Sequence, residues 1–215
     1  FPTRRSSDLE PSASKVFFGF ALWLGLLPPL FAFVKSPFWE SAGENVRAAF
    51  GELLEALGEQ CREVELVTLG DVFRHQQDVM VAENALHYGR LYDEHGAAMS
   101  ALARASIERG RKLGPDAYRT ACAARETAYA TILDILSGHT AILTLAADSV
   151  APRHDAPFTP NINGVWTFLG VPAVSLPLIE VDDLPIGVQL IGQRHDDGRL
   201  LRAARWLQEH VARLA

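Results

Sequence analysis

The side chains equipped for chemistry are few in this sequence and poorly clustered. Seven histidines (His75, His87, His95, His139, His154, His195 and His210) are scattered over 215 residues. No pair stands at the i, i+4 spacing of a helical zinc motif, and neither HxH nor HExxH occurs, so the spacing predicts no metal site. A lysine base has three candidates, Lys15, Lys35 and Lys112. Ser175, within Pro172-Ala-Val-Ser-Leu-Pro177, has no base beside it in sequence and lies outside any GxSxG elbow; it reads as a small polar residue inside a packed strand. The pairs Asp182-Asp183 and Asp196-Asp197 suit a turn and a helix start, where carboxylates accept local backbone hydrogen bonds or meet the positive end of the helix dipole. Glu83, on an apolar-rich helical stretch, is explained at least as well by an exposed face as by acid–base work. Cys61 and Cys122 form no CxxC pair, which argues against a disulfide scaffold or a structural zinc. GxGxxG and GxxxxGK[ST] are absent, so no nucleotide cofactor is expected; Gly187 and Gly192 bracket a strand, where a missing Cβ permits close backbone approach.

Composition narrows the class. Hydrophobic residues make up 48% and charged residues 21%, enough apolar surface to build a core and far from a disordered composition. The net charge of −6 is not offset by any basic stripe, which excludes a dedicated nucleic-acid binder that must neutralise phosphates.

Residues 1–9 lack an initiator Met and any hydrophobic period and read as a non-native leader, leaving 10–215 as the folding unit. The uncharged run 16–34 has the length of a bilayer span. Pro28-Pro29 would break its helical ladder, so a buried segment ending in a strand at 30–34 is the preferred reading. A membrane-tethered interaction module anchored by 16–34 is the alternative.

The remaining pattern is α/β. Val46, Phe50, Leu53 and Leu57 line one face of a helix over 41–59, with Ser41 and Glu44 as a capping box and Gly58 as its stop. A strand at 63–68 closes a strand–helix–strand crossover. Helices follow at roughly 71–92, 97–110 and 115–137, the last opened by Pro115 and carrying Tyr118, Cys122, Tyr129, Ile132 and Leu136 on one stripe. A strand at 140–145 and a proline-bearing loop at 148–160 lead to a short helix or turn at 161–170. Strands at 171–178 and 185–192 form a hairpin about the paired aspartates. A final helix capped by Asp196 presents Leu200, Ala204, Leu207, Val211 and Leu214 on one face.

The last third carries a longer signature: Asn163-x-x-Trp166-Thr167-x-x-Gly170-x-Pro172-Ala173-x-Ser175-x-Pro177, then Leu184-Pro185-x-Gly187-x-Gln189-x-x-Gly192, then Asp196 with Leu200-Leu201 and Ala204. This resembles the carboxyl-terminal portion of the amidase signature family. Upstream, Phe31-Ala-Phe-Val-Lys-Ser-Pro-Phe-Trp39, Met80 with Glu83, Ile107-Glu-Arg-Gly110 and Tyr118 with Ala121 are similar to the same family. The resemblance implies a mixed β-sheet flanked by helices in an α/β/α sandwich, and a hydrolase of carbon–nitrogen (amide) bonds. Its members use a Ser nucleophile, a second Ser and a Lys base, with backbone N–H groups receiving the oxyanion. Those groups belong to a Lys segment and a Gly-Gly-Ser-Ser-Gly-Gly-Ser stretch that match nothing here, so no catalytic residue carries over. The resemblance therefore implies a truncated piece, inactive alone, of a cytoplasmic enzyme whose partner is a small-molecule amide; a glutamine-hydrolysing amidotransferase subunit is the variant within the family. Asn163, Trp166, Thr167, Gly170, Pro172, Ser175, Gly187 and Gln189 are then structural or pocket-wall positions, with Trp166 packing beneath the pocket. Two departures stand out: Thr144 is followed by Leu145 where relatives have proline, and His139 stands near the place of their aspartate.

Overall fold

Phe31, Ala32 and Phe33 are shut away from solvent on both sides, and that burial decides the architecture around them. They form β1 (Phe31–Phe33), the second strand of a five-stranded sheet in a computed structural model that describes residues 27–36, 38–66, 69–154 and 163–214. The other elements are α1 (Glu44–Leu57), β2 (Cys61–Glu63), α2 (Leu69–His95), α3 (Ala101–Lys112), α4 (Pro115–Gly138), β3 (Ala141–Leu145), α5 (Gly164–Leu169), β4 (Ala173–Val181), β5 (Leu184–Ile191) and α6 (Asp197–Val211). The strand order is β2-β1-β3-β5-β4. β1 runs parallel to both β2 and β3, β5 is antiparallel to β3 and β4, and the sheet is mixed.

Alternation along these strands creates two core layers. Phe31, Phe33, Leu143, Leu145, Val188 and Leu190 face α1 and α6, where Val46, Phe50, Leu53, Leu200 and Leu207 meet them. Phe33 is clamped between Trp39 and Phe50, with ring centres 5.1 and 5.3 Å away. Ala32, Val34, Ile142 and Ile191 face the other way, toward Ile132 and Leu136 of α4 and Val165, Trp166 and Leu169 of α5. Helices on both faces of a mixed sheet make the α/β/α sandwich that the family resemblance implied.

The order strand, helix, strand from residue 30, the three long helices, the short helix after 163 and the hairpin follow the patterns. Asp182 and Asp183 both have positive φ, 52° and 60°, as a two-residue hairpin turn requires. Several local expectations are corrected. Ser41 does not cap α1: it lies in a 3-10 turn, its hydroxyl donates to the Phe38 carbonyl at 2.7 Å, and Gly43 is the N-cap with no side-chain bond. The strand expected at 63–68 pairs earlier, over Cys61–Glu63, because β1 offers three residues to pair with; Val64 adds one bond to the Phe33 carbonyl, and 67–68 lie outside the described residues. Asp196 holds the N-cap position of α6 but its side chain makes no capping bond. Leu214 lies beyond α6 and is exposed. Residues 1–26, which hold the leader and the first part of the run 16–34, fall outside the described residues, as do 155–160 of the proline-bearing loop and 161–162 of the expected helix or turn. Among the described residues no helix is long and apolar enough to cross a membrane.

Candidate functional site

In open α/β sheets ligands bind beyond the carboxyl ends of the parallel strands. That edge here is where β3 ends, and the hairpin register brings three polar side chains into one row across it. Thr144 pairs with Gln189, and Gln189 pairs with Ser175. All three share the face of Ile142 and Ile191, the face that α5 covers. Thr144 is fully buried and Gln189 nearly so, yet Thr144 Oγ1 and Gln189 Oε1 have no hydrogen-bond partner among the described residues. The indole Nε1 of Trp166, 2% exposed in the same core layer, is also unpartnered. Buried polar atoms normally find partners, and these three lie in one layer without one among the described residues.

Ser175 is exposed, which corrects the packed-strand reading. β4 is the edge strand, and its residues Ala173, Ser175 and Pro177 on this face are uncovered, whereas Val174, Leu176 and Leu178 pack against the α1–α6 layer. Beside Ser175, Gly187 allows the close approach inferred from sequence: a Cβ there would strike Ser175 Oγ and lie 2.9 Å from Ala146 Cβ.

The other signature positions build the turn that presents α5. Asn163 precedes the helix without a side-chain cap, and Thr167 Oγ1 donates back to its carbonyl at 3.1 Å; both are exposed. Gly170 closes α5 in the left-handed region at φ 63°, its N–H bonded to the Trp166 and Thr167 carbonyls. The Pro172 carbonyl then accepts the Gly192 N–H at 2.9 Å, which ties the start of β4 to the end of β5. Trp166 packs in the core, as expected from an aromatic in such a turn. The structure therefore divides the eight positions into a strand row (Ser175, Gly187, Gln189) and a helix-turn group (Asn163, Trp166, Thr167, Gly170, Pro172).

Next to α5 lies an open groove of about 350 Å³ between α2 and α4, lined by Gln76, Glu83, His87, Arg125, Thr167 and Phe168 among others. The Arg125 guanidinium stands 5.0 Å from the Phe168 ring centre, and its Nε is buried without a partner among the described residues. Glu83 also borders a cavity of about 320 Å³ with Leu86, Gly110 and Tyr118, and accepts from the Tyr118 hydroxyl at 3.4 Å. That hydroxyl is pushed above its ordinary range, first by its hydrogen bond to the Cys122 thiol and then by burial and the Glu83 charge. Glu83, half-buried, thus borders an open groove on either side.

Two residues that the sequence did not single out are central. Arg125 interrupts the apolar stripe of α4 between Cys122 and Tyr129, and a charge at that spacing was the available signal. Arg194 locks α5 to the sheet: Nε donates to the Leu169 carbonyl at 2.8 Å, Nη1 meets both Glu126 oxygens at 2.9 and 3.1 Å, and the guanidinium lies 3.8 Å over the Tyr129 ring. Glu126 is held below the usual carboxylate range chiefly by that bond. Among the described residues no cluster of His, Cys, Asp or Glu could hold a metal ion.

No family model matches the chain. One subunit of the glutamyl-tRNA(Gln) amidotransferase from Exiguobacterium sibiricum is 37% identical over 75 residues, covering 33% of this chain and 15% of that protein. Human fatty-acid amide hydrolase 2 is 27% identical over 110 residues, 49% of this chain and 21% of the relative. A crystal structure of an amidase superposes with a TM-score of 0.77 at 28% identity, covering 84% of this chain and 45% of that one. The chain spans less than half the length of these proteins.

Proposed function

From the premise that this chain belongs to the amidase signature family, we propose that it is the carboxyl-terminal half of an amide-hydrolysing enzyme, with the sheet and one wall of the substrate pocket as its contribution. One observation supports this most strongly. At the carboxyl edge of the sheet, Gln189 and Thr144 carry unpartnered buried atoms beside an uncovered edge strand bearing Ser175. A wall that awaits its counterpart would have these features.

Hydrolysis of an amide requires an activated hydroxyl and fixed donors for the oxyanion, because neither the hydroxyl nor the amide is reactive by itself. The family's Lys segment and Gly-Ser-rich stretch do not occur in these 215 residues. In this reading Ser175 is a wall residue and the nucleophile comes from the other half. Groups of one catalytic unit are strongly non-additive, so the chain alone turns over no amide. The groove with Glu83, His87 and Arg125 holds the part of the substrate remote from the scissile bond.

The pairing can be tested directly. The amino-terminal half of the amidase whose fold superposes at 0.77, added to the purified chain, is expected to co-elute with it at one to one in size-exclusion chromatography. A chain that stays monomeric in the mixture while its own circular dichroism is native would contradict the reading.

A further inference from the structure

At the opposite end of the sheet from the polar row, where β1 and β3 begin, a cavity of about 120 Å³ lies between these strands and α6. It is lined by Leu27, Pro29, Thr140, Arg199, Arg202, Ala203 and Trp206. Every charged side chain in that lining is a guanidinium. Arg199 is the deeper of the two, its side chain 15% exposed. One of its nitrogens donates to the His139 carbonyl at 3.2 Å, while Nε is buried and has no partner among the described residues. Its nearest carboxylate, Asp196, is 4.0 Å away, well beyond the 2.7–2.9 Å of a charge-assisted bond. Arg202, one helical turn on, is exposed and makes no ion pair among the described residues. Thr140 Oγ1 accepts from the Leu30 N–H at 3.1 Å, and its hydroxyl proton remains available as a third donor. The floor is apolar, with Trp206 stacked on His210 at 4.5 Å.

We propose that this cavity binds a phosphate group, either the free ion or a phosphate monoester, held by the guanidinium groups of Arg199 and Arg202 and the Thr140 hydroxyl. The chemistry is that of the donor set: two forks and a hydroxyl, with no carboxylate in the lining, match a tetrahedral oxyanion with several acceptor oxygens. The volume admits the phosphate group itself, with the organic part of an ester outside the cavity. The site is independent of amide hydrolysis, because it uses the amino end of the strands.

The test titrates inorganic phosphate into the full chain at constant ionic strength, with chloride as the control, and follows thermal midpoint and phosphorus NMR line width. A saturable rise in midpoint with phosphate and none with chloride is expected. Arg202→Gln, at an exposed position, should keep the circular dichroism and raise the Kd for phosphate tenfold or more. Arg199→Lys, which keeps the charge and removes the planar guanidinium fork, should weaken binding as well. Phenyl phosphate binding tighter than phosphate assigns the site to esters, and weaker binding assigns it to the free ion. Identical responses to phosphate and chloride, an unchanged Kd in Arg202→Gln, or acetate binding as tightly as phosphate would each overturn the proposal.

Discussion

Thr144 and Gln189 face each other across β3 and β5, both buried, and neither Thr144 Oγ1 nor Gln189 Oε1 is hydrogen bonded among the described residues. An unsatisfied buried hydroxyl costs roughly 1–3 kcal/mol, and its replacement by an apolar isostere removes that cost. Thr144→Val is therefore expected to stabilise the isolated chain by about 1 kcal/mol in urea unfolding. A loss of similar size would mean that Thr144 Oγ1 has a partner after all.

Arg194 joins α5, α4 and the end of β5 through its bonds to Leu169 and Glu126 and its stacking on Tyr129. Arg194→Met should cost about 1–2 kcal/mol, since it removes a charged hydrogen bond to a carbonyl and a cation–π contact. Glu126→Gln removes only an exposed ion pair and should cost much less. The pH dependence has a definite sign. The folded carboxyl of Glu126 lies below its ordinary range because of Arg194, so its contribution is present above the unfolded carboxyl range and fades as pH falls through the folded value. Acid titrations of stability should therefore be shallower for Glu126→Gln than for the parent chain.

Gly187 and Gly170 are irreplaceable for different reasons. A Cβ at 187 meets Ser175 Oγ and lies 2.9 Å from Ala146 Cβ, so Gly187→Ala should cost about 1–3 kcal/mol and move the β4–β5 pairing. Gly170 has room but sits at φ 63°, and Gly170→Ala should cost about 1 kcal/mol through backbone strain. Adding Ser175→Ala should recover part of the first loss and none of the second; thermal melts of the four variants check this.

The Cys61 thiol is raised from 9.0 to about 11, with burial the main cause and the Phe33 backbone opposing it. At pH 8 its alkylation should be slow. A group whose folded value is raised favours the folded state while protonated, so this contribution is present below pH 9.0 and is lost as pH climbs toward about 11. Cys61→Ala should flatten the alkaline arm of the stability profile, which urea titrations at pH 8 to 11 would reveal.

Much of this architecture was legible in the residues, and the particular misses are instructive. The hairpin was readable because Asp182-Asp183 combines turn chemistry with alternating flanks, and α1 because Val46, Phe50, Leu53 and Leu57 keep the helical period. Ser41 misled because a capping sequence is satisfied equally well by a 3-10 turn, where the hydroxyl finds the Phe38 carbonyl. The exposure of Ser175 was hidden because alternation gives the two faces of a strand without telling which is covered, and β4 is an edge. The site was harder still. The row Thr144, Gln189, Ser175 exists only through register, and Arg194 acts through contacts 25 to 68 residues away in sequence.

Whether this chain supplies a wall and not the nucleophile is read most plainly from the release of ammonia or amine. The substrates are a panel of short aliphatic amides, aryl amides and glutamine, offered to the purified 215-residue chain. No release above buffer is expected. Turnover that survives repurification and is abolished by Ser175→Ala would contradict the assignment of Ser175 to the wall.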